Sequence, residues 1–132
     1  MSVHEQETRQ WLPYADRDLR SARTLLTAGD AANACYLSQQ AAEKALNSMY
    51  VFSQIQYPLR HDLDVLRNGL PAGWVVAGYY SDLTDLTAWV AEARYPTELP
   101  DATNDDARAD SSTAQDIYTS VLQNINAHGF TL

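Results

Sequence analysis

The residues best suited to chemistry fall in three short stretches: Gln39-Gln40-Ala41-Ala42-Glu43-Lys44-Ala45-Leu46, Arg60-His61-Asp62-Leu63 and Ala93-Arg94-Tyr95-Pro96. Arg60, His61 and Asp62 concentrate a fixed cation, a group that titrates near neutrality and an anion. Glu43 and Lys44 stand between small apolar residues, which points them toward a cleft or a buried ion pair rather than a solvated face. Such a pair is costly unless fully partnered, and Arg60 or Arg94 can supply the partner. The planar guanidinium of Arg94 suits two-pronged contact with a phosphate. One reading is therefore an anion-binding groove lined by Lys44, Arg60, His61 and Arg94, with Tyr95 beside it, Asp62 at its edge and Glu43 orienting one of the cations. The plainer reading is structural: Asp62 or His61 caps a helix, and the charges form a salt-bridge network. Both stay open on the residues alone.

These groups need elements to position them, and the pattern supplies helices. Leu12, Ala15, Leu19, Ala22 and Leu26 recur at spacings of 3, 4, 3 and 4, an apolar stripe over roughly Glu5 to Ala28. Pro13 conflicts with a helix interior, so the spacing predicts a start near Trp11 with Pro13 in the first turn. Gly29-Asp30 is the stop. A second helix over about Asp30 to Phe52 carries two small or apolar faces and reads as central. A short third helix, about Asp62 to Asn68, ends at Gly69. A fourth runs from about Trp74 to Arg94, where Pro96 follows. The fifth, striped by Ile117, Val121 and Ile125, has two candidate starts, one at Thr103-Asn104-Asp105-Asp106 and one at Ser111-Ser112, and ends at Gly129. No segment alternates with period two. The expected fold is all-α: one domain over residues 1–132, an antiparallel up-and-down bundle of four long helices with the short helix across one end.

Composition narrows the function. Nine basic residues against 17 acidic ones give a formal charge of −8, which argues against general DNA or RNA binding. Arg9, Arg17, Arg20 and Arg23 alternate with Glu7, Asp16 and Asp18 and read as a mixed-charge solvated face. Cys35 is the only cysteine, so no intrachain disulfide forms, and its Ala-rich setting reads as core. Three dispersed His residues and one Cys match no metal-ligand spacing, and no phosphate-binding loop appears, so no cofactor is expected. The polar, acidic start does not look like a leader, and no apolar run approaches the ~18 residues of a membrane span. The expected location is the cytoplasm.

Taken in order, the three stretches resemble a HEPN domain, the nucleotide-binding domain shared by higher eukaryotes and prokaryotes. The helix from Trp11 to Leu26, with Ala15, Asp18, Leu19 and Ala22, is similar to that of the prokaryotic type, and the resemblance extends to Ala127. It implies a helical bundle that forms a homodimer and often acts beside a separate minimal nucleotidyltransferase. Some members are ribonucleases, including toxins of toxin–antitoxin pairs, and carry an Arg followed after four to six residues by a His. The positions where that Arg would stand are Gln54, Ile55 and Gln56 before His61, and Val121, Leu122 and Gln123 before His128. The motif is absent as written, as is the nucleotidyltransferase's own Gly-Ser and paired-Asp motif. The resulting expectation is a non-catalytic, dimeric module with a nucleotidyltransferase partner and a nucleotide or phosphate group as ligand. The alternative is a HEPN ribonuclease or toxin with a non-standard set drawn from Arg60, His61 and Arg94.

Overall fold

A computed structural model describes residues 3–59, 61–71, 83–89 and 101–129, and all regular structure among them is helical. The elements are α1 (Val3–Thr27), α2 (Ala31–Phe52), α3 (Leu63–Asn68), α4 (Thr84–Thr87) and α5 (Asn104–Ala127). No helix among the described residues is long and apolar enough to cross a membrane.

α1 starts two turns earlier than Pro13 led us to expect, and Pro13 lies inside it. The proline forfeits one backbone hydrogen bond and crowds the preceding turn. Packing of that turn outweighs the cost. Thr8 is fully buried, its hydroxyl donating to the His4 carbonyl at 2.7 Å. His4 stacks edge-on against Phe52, and Trp11 against Tyr57. At the other end, Gly29 takes the left-handed conformation (φ +84) that a helix stop requires. Its N–H donates to the Leu26 carbonyl and that of Asp30 to the Leu25 carbonyl, the paired bonds of a Schellman motif. Asp30 then caps α2, accepting from the Asn33 backbone N–H and side-chain amide. One aspartate thus closes one helix and opens the next.

α2 is central. It packs against α1, α3, α4 and α5, which Ala41, Ala42, Ala45 and Ser48 permit by letting neighbouring backbones approach. The main core joins Leu12 and Leu19 of α1, Leu46 and Met49 of α2, Leu63 and Leu66 of α3, and Ile117, Val121 and Ile125 of α5. A smaller cluster holds Ala31, Ala34, Cys35 and Ala107, with Trp89 against it. Cys35 is fully buried, as its Ala-rich setting implied.

α5 begins at the earlier of its two candidate starts. The Thr103 hydroxyl accepts from the Asp106 N–H at 3.0 Å, and the Asp106 carboxylate accepts from the Thr103 N–H at 3.0 Å. Of the helix expected over Trp74 to Arg94, residues 83–89 are described and contain α4; the rest lies outside the described residues. α4 is locked to α3. The Asp64 carboxylate accepts from the Leu83 N–H at 3.0 Å, the Thr87 hydroxyl accepts from the Leu63 N–H at 3.0 Å, and Arg67 pairs with Asp64 at 2.7 Å.

Candidate functional site

The middle of α2 carries two adjacent charges that serve opposite neighbours. One residue's rotation on a helix is ~100°, so Glu43 and Lys44 cannot share a partner easily. Glu43 is buried and faces the approach to α3, where its Oε1 lies 2.7 Å from His61 Nδ1. Lys44 turns toward α1, with its Nζ 2.5 Å from Asp18 Oδ2.

His61 stands where it does because the chain is about to start a helix. Asp62, next in sequence, caps α3 by accepting from the Asp64 N–H at 2.9 Å and the Val65 N–H at 3.2 Å. The imidazole is thereby held against the middle of α2, 57% exposed, over a carboxylate that is only 12% exposed. A carboxylate accepts, so Nδ1 carries the proton and Nε2 is the ring atom left to meet a ligand. Gln39, one turn before Glu43 and fully buried, reaches both the Glu43 carboxylate and the His61 carbonyl at 3.4 Å. The Gln40 side-chain amide donates to Gln39 Oε1 at 2.7 Å. The buried carboxylate is thus satisfied from two sides, which offsets the cost of its burial.

Of the seven residues singled out from the sequence, the structure brings Glu43 and His61 together, while the Asp62 carboxylate is turned to the backbone of α3. Lys44 is nearby in sequence but occupied on the α1 side, where it borders a shallow depression with Gln10, Trp11 and Tyr14. Arg60, Arg94 and Tyr95 lie outside the described residues. Asp62 does the capping work that its position before Leu63 suggested.

Three residues escaped the sequence reasoning. Gln39 lay in a quoted stretch but was not singled out. Asp18, read as part of a solvated face, is 7% exposed and pairs with Lys44. The signal was present: it falls between Ala15 and Ala22 on the buried side. Asp110 follows the same logic, three residues after Ala107 and four before Ala114. It is 8% exposed, and its Oδ2 takes no hydrogen bond among the described residues. Burial pushes its pKa up to about 6; hydrogen bonds with Cys35 and Trp89 pull it down, and the charges of Asp106 and Asp85 push it further up. Asp85, Asp101, Asp106 and Asp110 border one cleft of about 350 Å³ with Trp89. Among the described residues no group of three or more His, Cys, Asp or Glu is placed to hold a metal ion.

The class is defined by this combination: an all-helical domain with a small-residue central helix whose buried glutamate meets a histidine at the mouth of a short, Asp-capped helix. The chain belongs to the HEPN family, since the family model described as HEPN domain matches residues 8–125. Two solved structures are similar to it. TT1696 from Thermus thermophilus superposes with a TM-score of 0.77 at 31% identity, covering 89% of this chain and 97% of that one. ST0689, described as an archaeal HEPN homologue, gives 0.66 at 29% identity, covering 86% and 93%. No curated protein matches the chain.

Proposed function

We propose that the chain is a non-catalytic HEPN module that works as a homodimer beside a nucleotidyltransferase partner and binds a nucleotide through its phosphate next to His61. The observation that carries the ligand half is the Glu43–His61 pair at 2.7 Å. It engages the buried carboxylate inside the fold and aims Nε2 outward, where an imidazolium can donate to a phosphate oxygen. Arg60, adjacent in sequence, and Arg94 add guanidinium groups to the same reading. Family membership supports the partner half.

Thermal unfolding with AMP, ATP and inorganic phosphate tests the ligand half. A ligand at about a hundred times its Kd adds roughly 2.7 kcal/mol, enough to raise the midpoint by several degrees. The rise should vanish in His61→Ala and shrink in Arg94→Ala. Absence of any rise in the wild type refutes ligand binding. Co-expression with a nucleotidyltransferase encoded next to this gene tests the partner half, which fails if the two proteins elute separately. Sedimentation equilibrium tests the dimer.

One observation favours a second reading. An imidazole oriented by a carboxylate is also a general base, and with Arg60 and Arg94 it would form a relocated ribonuclease site. That reading expects cleavage of labelled RNA, and growth arrest on expression, both lost in His61→Ala. Intact RNA after prolonged incubation removes it.

A further inference from the structure

The charges of α1 are sorted by the fold. Gln6, Arg9, Pro13, Arg17, Arg20 and Thr24 recur at spacings of 3, 4, 4, 3 and 4, one stripe on the side opposite buried Ala15 and Ala22. The stripe contains no carboxylate. Asp18 has turned inward onto Lys44, and Asp16, at the stripe's edge, pairs with Arg20 at 3.1 Å. Arg17 makes no ion pair among the described residues; its guanidinium lies 4.4 Å above the ring of Tyr14, itself half-exposed. What reads in sequence as mixed charge is in space a ridge whose arginines outnumber its one flanking carboxylate, on a protein of formal charge −8.

Beside this ridge runs a groove between α1 and α2. Arg17, Arg20, Ser21 and Thr24 form its α1 wall, and partly buried Leu25 and Leu37 its apolar floor, over about 660 Å³. It continues past Arg17 into a second shallow groove that reaches Arg9 and Pro13. From Arg9 to Thr24 the ridge is ~22 Å long, about four turns of a facing helix.

We propose that this face docks an acidic amphipathic helix of a partner protein, with aliphatic side chains on Leu25 and Leu37 and carboxylates on Arg17 and Arg20. An aliphatic floor with a cationic rim fits such a helix on both counts. It fits a nucleic acid on neither. Base stacking needs an open aromatic face, and Arg17 covers that of Tyr14. A polyanion longer than the ridge also meets the acidic remainder of the chain. The proposal rests on the partner half of the function above and is independent of the ligand half.

The test is fluorescence anisotropy of a labelled synthetic peptide of about 18 residues, ~27 Å as a helix, with Leu every third or fourth position and Glu between. The full chain should bind it, more weakly as salt rises. R17E/R20E should bind about tenfold or more weakly while keeping its helical circular dichroism, and R17K/R20K should bind nearly as the wild type does. His61→Ala should bind unchanged, and a Lys-for-Glu peptide should not bind. The proposal is overturned if the acidic peptide fails to bind, if R17E/R20E binds it as the wild type does, or if His61→Ala loses it. It is equally overturned if short oligouridine binds and R17E/R20E abolishes that, which would make the ridge a nucleic-acid surface. Peptide binding without any nucleotide-induced rise in melting temperature would leave this surface standing and remove only the ligand half of the proposed function.

Discussion

Replacing Asp110 with Asn should change how stability responds to pH, and the size of that change follows from the aspartate's surroundings. Asp110 is buried on α5 with one carboxylate oxygen unsatisfied among the described residues, and its pKa is pushed from the ordinary 3.8 to about 6. The folded state therefore holds this proton more tightly than the unfolded chain does. Below the unfolded pKa the group is protonated in both states and costs nothing. As pH rises through the folded value, stability is lost, and above it the loss is complete. A difference of about two units at 1.36 kcal/mol each sets the loss at roughly 3 kcal/mol. Asn cannot ionise and escapes it. The new amide leaves its own buried donor, a cost of about 1 kcal/mol that is the same at every pH. The discriminating quantity is thus the wild-type-to-D110N difference measured by urea unfolding from pH 4 to pH 8. It should move by roughly 2–3 kcal/mol in favour of D110N, mostly between 3.8 and about 6. Other carboxylates titrate in both proteins and cancel. A difference that stays flat across this range would falsify the argument that burial destabilises the ionised group.

Three further substitutions probe the frame. Thr103→Ala removes the reciprocal cap of α5 and should cost about 1 kcal/mol in denaturant unfolding. A methyl on Gly69 would overlap the Tyr50 hydroxyl, which is buried and donates to the Leu66 carbonyl at 2.6 Å. Gly69→Ala should therefore cost about 1–3 kcal/mol, and combining it with Tyr50→Phe should recover part of the loss; a neutral Gly69→Ala contradicts the packing. Asp18→Asn strands Lys44 in a partly buried position and should cost about 1–2 kcal/mol. The double variant D18N/K44M should lose less than the sum of the single ones, and simple additivity would mean the pair is not coupled.

Most of the frame could be read from periodicity. The stripe of Leu12, Ala15, Leu19 and Ala22 and the stops at Gly29 and Gly129 hold, and of the two starts left open for α5 the structure takes the one at Thr103. Pro13 misled because a local rule was set against packing that is not local: His4 and Trp11 gain partners from the end of α2 and the segment after it, and Thr8 is buried, only once the helix extends through the proline. The candidate site divides the same way. That Glu43 sits among small residues is visible in the sequence, but that it faces His61 while Lys44 faces Asp18 depends on which helix flanks each side of α2.

The aspartates show most clearly where local reading ends. Asp62 precedes an apolar residue at a helix start, and it caps that helix, a role set by its nearest neighbours alone. Asp18 and Asp110 both sit among alanines on buried stripes, three or four residues from each neighbour, so by pattern they are the same case. Their fates differ because α2 places Lys44 opposite the first, while the second meets a thiol, an indole and the charges of two other carboxylates. Periodicity predicts that a polar group will be buried. Only the facing element decides whether that group becomes half of an ion pair or a carboxylate reluctant to ionise. Asp18's register between Ala15 and Ala22 also sets it about 100° away from Arg17, one position before it, so the acid that pairs with Lys44 is not one that offsets the outer ridge of α1.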